Sequence, residues 1–137
     1  MSALEATGVF PVMGHFKNKD RECRSCNAQW VAHEEKETDV SIAIYMLKGA
    51  YKNEYEKAIL ITRDSDLVPA VKMIRTEFPA KEIVVVAPPY MGHSNDLLAA
   101  CNSKKKISPT QIWGSLLPQQ VYRQDGTLAA TRPMEYN

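Results

Sequence analysis

The residues with the strongest claim to chemistry are Asp64 and Asp66, two positions apart in T-R-D-S-D, directly after an apolar run and directly before a helical pattern. A turn between strand and helix lets both carboxylates aim at one point, where they repel each other unless a cation sits between them. Hard divalent ions such as Mg²⁺ or Mn²⁺ prefer carboxylate oxygen and hold phosphate in turn. The plainer reading is that Ser65 or Asp66 caps the helix and Asp64 is solvated. Asp39, in E-K-E-T-D-V, adds a third carboxylate at the start of the preceding helix, where it would otherwise serve the helix dipole. Cys23 and Cys26 form a C-x-x-C, and with His15 and His33 they would make a zinc donor set of two sulfurs and two nitrogens. A redox pair or two ordinary surface thiols are the other readings of that motif. No helix pattern starts at the pair, which argues against thioredoxin-like chemistry.

The elements that must position these groups read as an α/β chain. From Thr38, a reasonable N-cap, to Tyr51 the apolar positions Val40, Ala43, Ile44, Leu47, Ala50 and Tyr51 recur every three or four residues, which predicts a helix. Ala58 to Thr62 and Ile83 to Ala87 are apolar without alternation, as in parallel strands covered on both faces. Between them Leu67, Val71, Ile74 and Phe78 keep a helical spacing, with Pro69 in the first turn where its missing donor is harmless. Strand, helix and strand make a right-handed crossover, and the aspartates then stand at the carboxyl end of the first strand, where open α/β sheets place their sites. Val9 to Phe16 reads as an edge or irregular strand because Pro11 lacks a donor. Lys17 to His33 is too polar for core and reads as a loop that a metal could staple. Ser94 or Asn95 can start a short helix through Cys101, a cysteine placed for packing. Lys104 to Lys106 then begin the exit from the domain. The region after Gly114 is rich in Pro and Gln, and residues 122–137 are expected to be loosely attached.

The 137 residues are about 45% hydrophobic and 24% charged, within the range of one folded domain. A net charge of +1 excludes a global basic field, so any nucleic-acid contact has to be local. Lys17, Lys19, Arg21 and Arg24 form one such patch, interleaved with Asp20 and Glu22, and Lys104 to Lys106 a second; each is equally a solvated surface. Trp30 and Trp113 are able to stack on bases or to anchor packing, and His93 is a loop histidine on the aspartate side. No apolar run approaches the roughly 20 residues of a membrane span. With no pattern of a secretory signal at the start, a cytoplasmic location is expected.

The runs H-E-E-K-E-T-D-V-S-I-A-I-Y-M-L, Y-E-K-A-I-L-I-T-R-D-S-D-L-V-P-A-V and I-V-V-V-A-P-P resemble the NYN domain, a PIN-like nuclease family, in its LabA-like bacterial branch. The likeness runs from about Ala3 to Val121 and includes G-H-F followed by C-x-x-C. It implies a three-layer α/β/α parallel sheet over residues 1–121 and metal-dependent cleavage of RNA phosphodiesters. Asp39, Asp64 and Asp66 match the acidic positions that hold Mg²⁺ or Mn²⁺. Lys36 and Ser65 match polar positions able to contact phosphate or order water. Arg63 departs from the family, which has a small residue there, and is able to reach a phosphate or to crowd the metal. A second departure is at the start, where the family's domain opens with a strand ending in a further metal-ligating Asp and then a second strand. The resemblance thus implies a domain truncated at its N-terminus, with the absent strands supplied by a second copy or a partner chain. Two other functions follow from the same residues: an inactive NYN-like module that binds RNA or organises an assembly, and a zinc-stabilised partner-binding protein whose aspartates only cap helices.

Overall fold

The computed structural model describes residues 2–136. In chain order the elements are α1 (Ser2–Ala6), β1 (His15–Glu22), β2 (Gln29–Lys36), α2 (Thr38–Tyr51), β3 (Lys57–Ile61), a 3₁₀ turn (Ser65–Leu67), α3 (Val68–Glu77) and β4 (Glu82–Ala87). They continue with α4 (Asn95–Ala100), β5 (Ser103–Lys106), α5 (Pro109–Gly114), β6 (Gln120–Tyr122), β7 (Leu128–Thr131) and a final 3₁₀ turn (Met134–Tyr136). The chain forms two compact units, Met13–Ile107 and a smaller one built from Met1–Val12 with Ser108–Asn137.

In the larger unit β3, β4 and β5 make a parallel sheet in that order, with Ile59 opposite Val84 and Val84 opposite Ser103. Leu60, Ile83 and Val85 share one core with Ala50 of α2, Val71 and Ile74 of α3, and Leu97 and Ala100 of α4. Helices therefore flank a parallel sheet, as the alternation of strand and helix predicts. Helix α2 spans Thr38–Tyr51 as expected, though its cap is Glu37 in the left-handed conformation (φ 76°), and Thr38 is its first residue. Lys57 and Glu82, paired in register, close a 2.6 Å ion pair at the amino ends of β3 and β4, which holds the Glu82 carboxyl below its usual range.

Several expectations are corrected. Strand β3 is not covered on both faces: Ile59 and Ile61 are 63% and 59% exposed, and among the described residues no strand pairs with its outer edge. Only β4, in the middle, has the fully buried character that an unbroken apolar run implies. Lys104 to Lys106 do not leave the domain but form β5. The side chain and backbone of Asn102 both bond Ile83, its Oδ1 accepting from the Ile83 amide and its own amide donating to the Ile83 carbonyl, each at 2.9 Å, and so start the pairing. Residues 9–14 are irregular, and the extended backbone begins only at His15. The supposed loop at Lys17–His33 is most of an antiparallel hairpin, β1 with β2, in which Lys19 reaches Glu34 on the diagonal at 3.1 Å.

The smaller unit holds α1, α5 and the antiparallel pair β6–β7, with α1 against both strands. Its hairpin corrects the expectation of a loose tail. Gly126 takes φ 82°, and Asp125 Oδ1 accepts from the Thr127 amide at 2.9 Å, so an Asp-Gly turn folds the segment back on itself. Ser108 and Gln111 cap α5 reciprocally.

Candidate active site at the carboxyl end of β3

Strand β3 ends at Ile61, and the next residues turn sharply because side chains bond the backbone: Thr62 Oγ1 accepts from the Asp64 amide at 3.0 Å, and Asp64 Oδ1 accepts from the Asp66 amide at 2.9 Å. Asp64 is the extended N-cap of the 3₁₀ turn that leads into α3, and Leu67 inside that turn is fully buried. Asp64, Ser65 and Asp66 are thus anchored to the core from below while they face solvent.

Helix α2 packs beside this 3₁₀ turn and carries Asp39 in its first turn. Partial withdrawal from water pushes the Asp39 carboxyl above its usual range, and the negative charges of Asp64, Glu35 and Asp66 push it further the same way. The three aspartates singled out by sequence therefore share one electrostatic neighbourhood.

Glu35 is the residue that sequence reasoning passed over. Its Oε1 accepts from the Thr38 amide at 3.1 Å and from the Thr38 hydroxyl, so it ties β2 to the first turn of α2. A Cβ on Gly14 would lie 2.5 Å from Thr38 Oγ1 and 2.9 Å from Glu35 Oε1, which explains a glycine there. The only signal was the acidic run H-E-E-K-E-T-D, four residues from Glu35 to Asp39.

The other expected site residues are less gathered. Lys36 pairs with Glu34 at 3.3 Å, and hydrogen bonds first from Lys19 and then from Lys36 hold Glu34 below the usual carboxylate range. Arg63 is exposed beside Asp64. His93 Nε2 lies 2.8 Å from the Lys105 carbonyl, which fastens its loop to β5.

The hairpin register separates the zinc donor set. Cys23 and Cys26 sit in the turn, whereas His33 is opposite Asn18, roughly 13 Å down the strand, and His15 opposite Lys36, roughly 23 Å down at about 3.3 Å per residue. His15 instead lies 3.8 Å from Glu37. Amides of Ser25 and Cys26 donate to the Cys23 sulfur and hold its thiol below the usual range, while burial pushes Cys101 up.

Among the described residues no three His, Cys, Asp or Glu side chains stand close enough together to grip a metal ion at once. The donor set at the aspartates nevertheless suits a hard divalent cation: all oxygen, solvent-facing and mutually repelling.

A parallel α/β sheet with carboxylates at the carboxyl end of one strand places this site where open α/β domains place theirs. The NYN domain family matches residues 1–107, and the chain belongs to it. Over 104 residues the chain is 30% identical to 6-hydroxy-3-succinoylpyridine 3-monooxygenase HspA of Pseudomonas putida, a match covering 74% of this chain and 33% of that protein. The aligned part thus spans about a third of the relative's length. No solved structure matches the chain.

Proposed function

We propose that this NYN domain hydrolyses RNA phosphodiester bonds with Mg²⁺ or Mn²⁺ held by Asp39, Asp64 and Asp66. The observation that supports the reading best is the crowding of Asp64, Glu35 and Asp66 around Asp39, a concentration of negative charge that a bound cation would relieve at neutral pH. A cation bound there would activate a water and stabilise the charge on the phosphate. The chain's own residues do the rest: the cap from Asp66 to Asp64 fixes the two carboxylates, Glu35 holds the first turn of α2 and hence Asp39, and exposed Arg63 and Ser65 reach a phosphate oxygen, with Lys36 further along.

Among the described residues β3 is an edge strand, and its open edge is able to pair with a strand from a second copy or a partner chain. The name of the pseudomonad relative supplies the competing reading, a monooxygenase acting on 6-hydroxy-3-succinoylpyridine.

End-labelled single-stranded RNA incubated with the chain and Mn²⁺ tests the proposal. Cleavage that stops with chelator and is lost in Asp64→Asn with Asp66→Asn is the expected result. RNA that binds without being cut, in Mn²⁺ and Mg²⁺ alike, would leave an inactive RNA-binding module.

A further inference from the structure

The turn joining β1 to β2 is built around a sulfur. The Cys23 amide donates to the Ala28 carbonyl at 2.9 Å and the Asn27 amide to the Cys23 carbonyl at 2.8 Å, with Asn27 in the left-handed conformation (φ 54°). The bond from Asn27 back to Cys23 winds these residues through one helical turn, which sets Cys23 and Cys26, three residues apart, on the same side of it. The two thiols therefore stand together at the tip, the arrangement by which a C-x-x-C turn offers two sulfurs to one thiophilic metal. Zinc takes four ligands at about 2.3 Å from each sulfur. This chain offers two: the hairpin register keeps His15 and His33 away, Cys101 is buried at the end of α4, and among the described residues no third His, Cys, Asp or Glu completes a group.

The hairpin is also short of support. Two strands alone are marginal in water, yet every residue of β1 is exposed, and Trp30 and Val31, close to the turn, are more than half exposed. A metal at the tip is the kind of staple such a segment needs.

We propose that the Cys23–Cys26 turn is half of a zinc site that closes only when the same turn of a second copy faces it, so that one Zn²⁺ is held by four thiolates between two hairpin tips. A two-fold axis through the metal makes the two halves equivalent. Four thiolates around one Zn²⁺ leave a net charge of −2, and Arg24, lying between the cysteines in sequence, with Arg21 at the end of β1, supplies positive charge from both copies. Cys26 is exposed and Cys23 partly so, as a site between two chains requires. None of this depends on the aspartate site.

The test is titration of the reduced full chain with Co²⁺ and then Zn²⁺ in anaerobic buffer, with sedimentation alongside. The sulfur-to-cobalt charge-transfer absorption separates this site from any carboxylate-bound cobalt. Saturation of that absorption at one metal per two chains, a tetrahedral tetrathiolate spectrum and a doubled mass are expected. Cys26→Ser, checked for unchanged circular dichroism, should lose both the absorption and the mass change, while Asp64→Asn keeps them. Zinc should also shield two thiols per chain from alkylation. Saturation at one metal per chain in a monomer, a thiolate spectrum that survives Cys26→Ser, or no charge-transfer absorption would each overturn the proposal.

Discussion

Asp64 Oδ1 accepts the backbone amide of Asp66 at 2.9 Å, so the first aspartate of the D-S-D motif holds the second in place. Capping and ligation are usually opposed readings of such a motif. Here one oxygen caps and the carboxylate as a whole still contributes to the repulsion felt at Asp39. The local fold builds the charged cluster and does not compete with it.

Asp64→Ala and Asp64→Asn should therefore differ. The alanine variant loses the cap and about 0.5–2 kcal/mol of stability, visible in a denaturant melt, whereas asparagine keeps an acceptor and stays close to the parent. Both should lose divalent-metal affinity. Equal stability of the alanine variant and the parent would mean that the bond carries no weight.

Asp39 sets a pH dependence. Its folded-state pKa is raised above the unfolded value, so its contribution is fully present below the ordinary carboxylate pKa of about 4 and is lost as pH rises through the folded value. In metal-free buffer Asp39→Asn should gain stability relative to the parent between pH 4 and neutrality, at roughly those limits. Added Mn²⁺ should raise the melting temperature of the parent more than that of the variant. Parallel stability curves across this pH range would refute the repulsion.

Gly14→Ala tests the close approach beside Glu35. The new methyl would meet Thr38 Oγ1 and Glu35 Oε1, and overpacking of this kind costs about 1–3 kcal/mol. Hydrogen exchange should accelerate at the Thr38 amide, which Glu35 protects. Unchanged exchange there would show that the bond is not held in solution.

Much of this architecture was legible in the sequence because burial leaves a pattern. The 3.6-residue period of α2 and the apolar run of β4 both follow from one core. The β1–β2 hairpin left no such trace, since charged residues occupy both of its faces and its pairing rests on backbone bonds and ion pairs such as Lys19 with Glu34. Strand β5 was hidden for a similar reason: S-K-K-K is fully exposed and enters the sheet through Asn102. The β6–β7 turn was signalled by Asp125-Gly126 and passed over because the strands around it are short. Type and position in the sequence single out Asp39, Asp64 and Asp66 as candidates, and the structure sets their charges within reach of one another. Glu35 was missed because its role depends on where β2 ends.

Lys81 lies outside any site and is 7% exposed, its Nζ donating to Asn53 Oδ1 at 2.7 Å and the Tyr55 carbonyl at 2.5 Å. Lys81→Met should destabilise by about 1–3 kcal/mol because it strands those acceptors, while metal affinity at the aspartates stays unchanged. A loss of metal binding at full stability would contradict this division of labour.

The claim that Asp39, Asp64 and Asp66 form one cation site is tested most directly by calorimetric titration of Mn²⁺ into the parent chain and into Asp39→Asn. Zinc must first be saturated at the thiols or the cysteines blocked. The account predicts one Mn²⁺ per chain for the parent and at least a tenfold loss of affinity in the variant, even though Asp39 is 25 residues from Asp64 in sequence. Equal binding by the two proteins would contradict it.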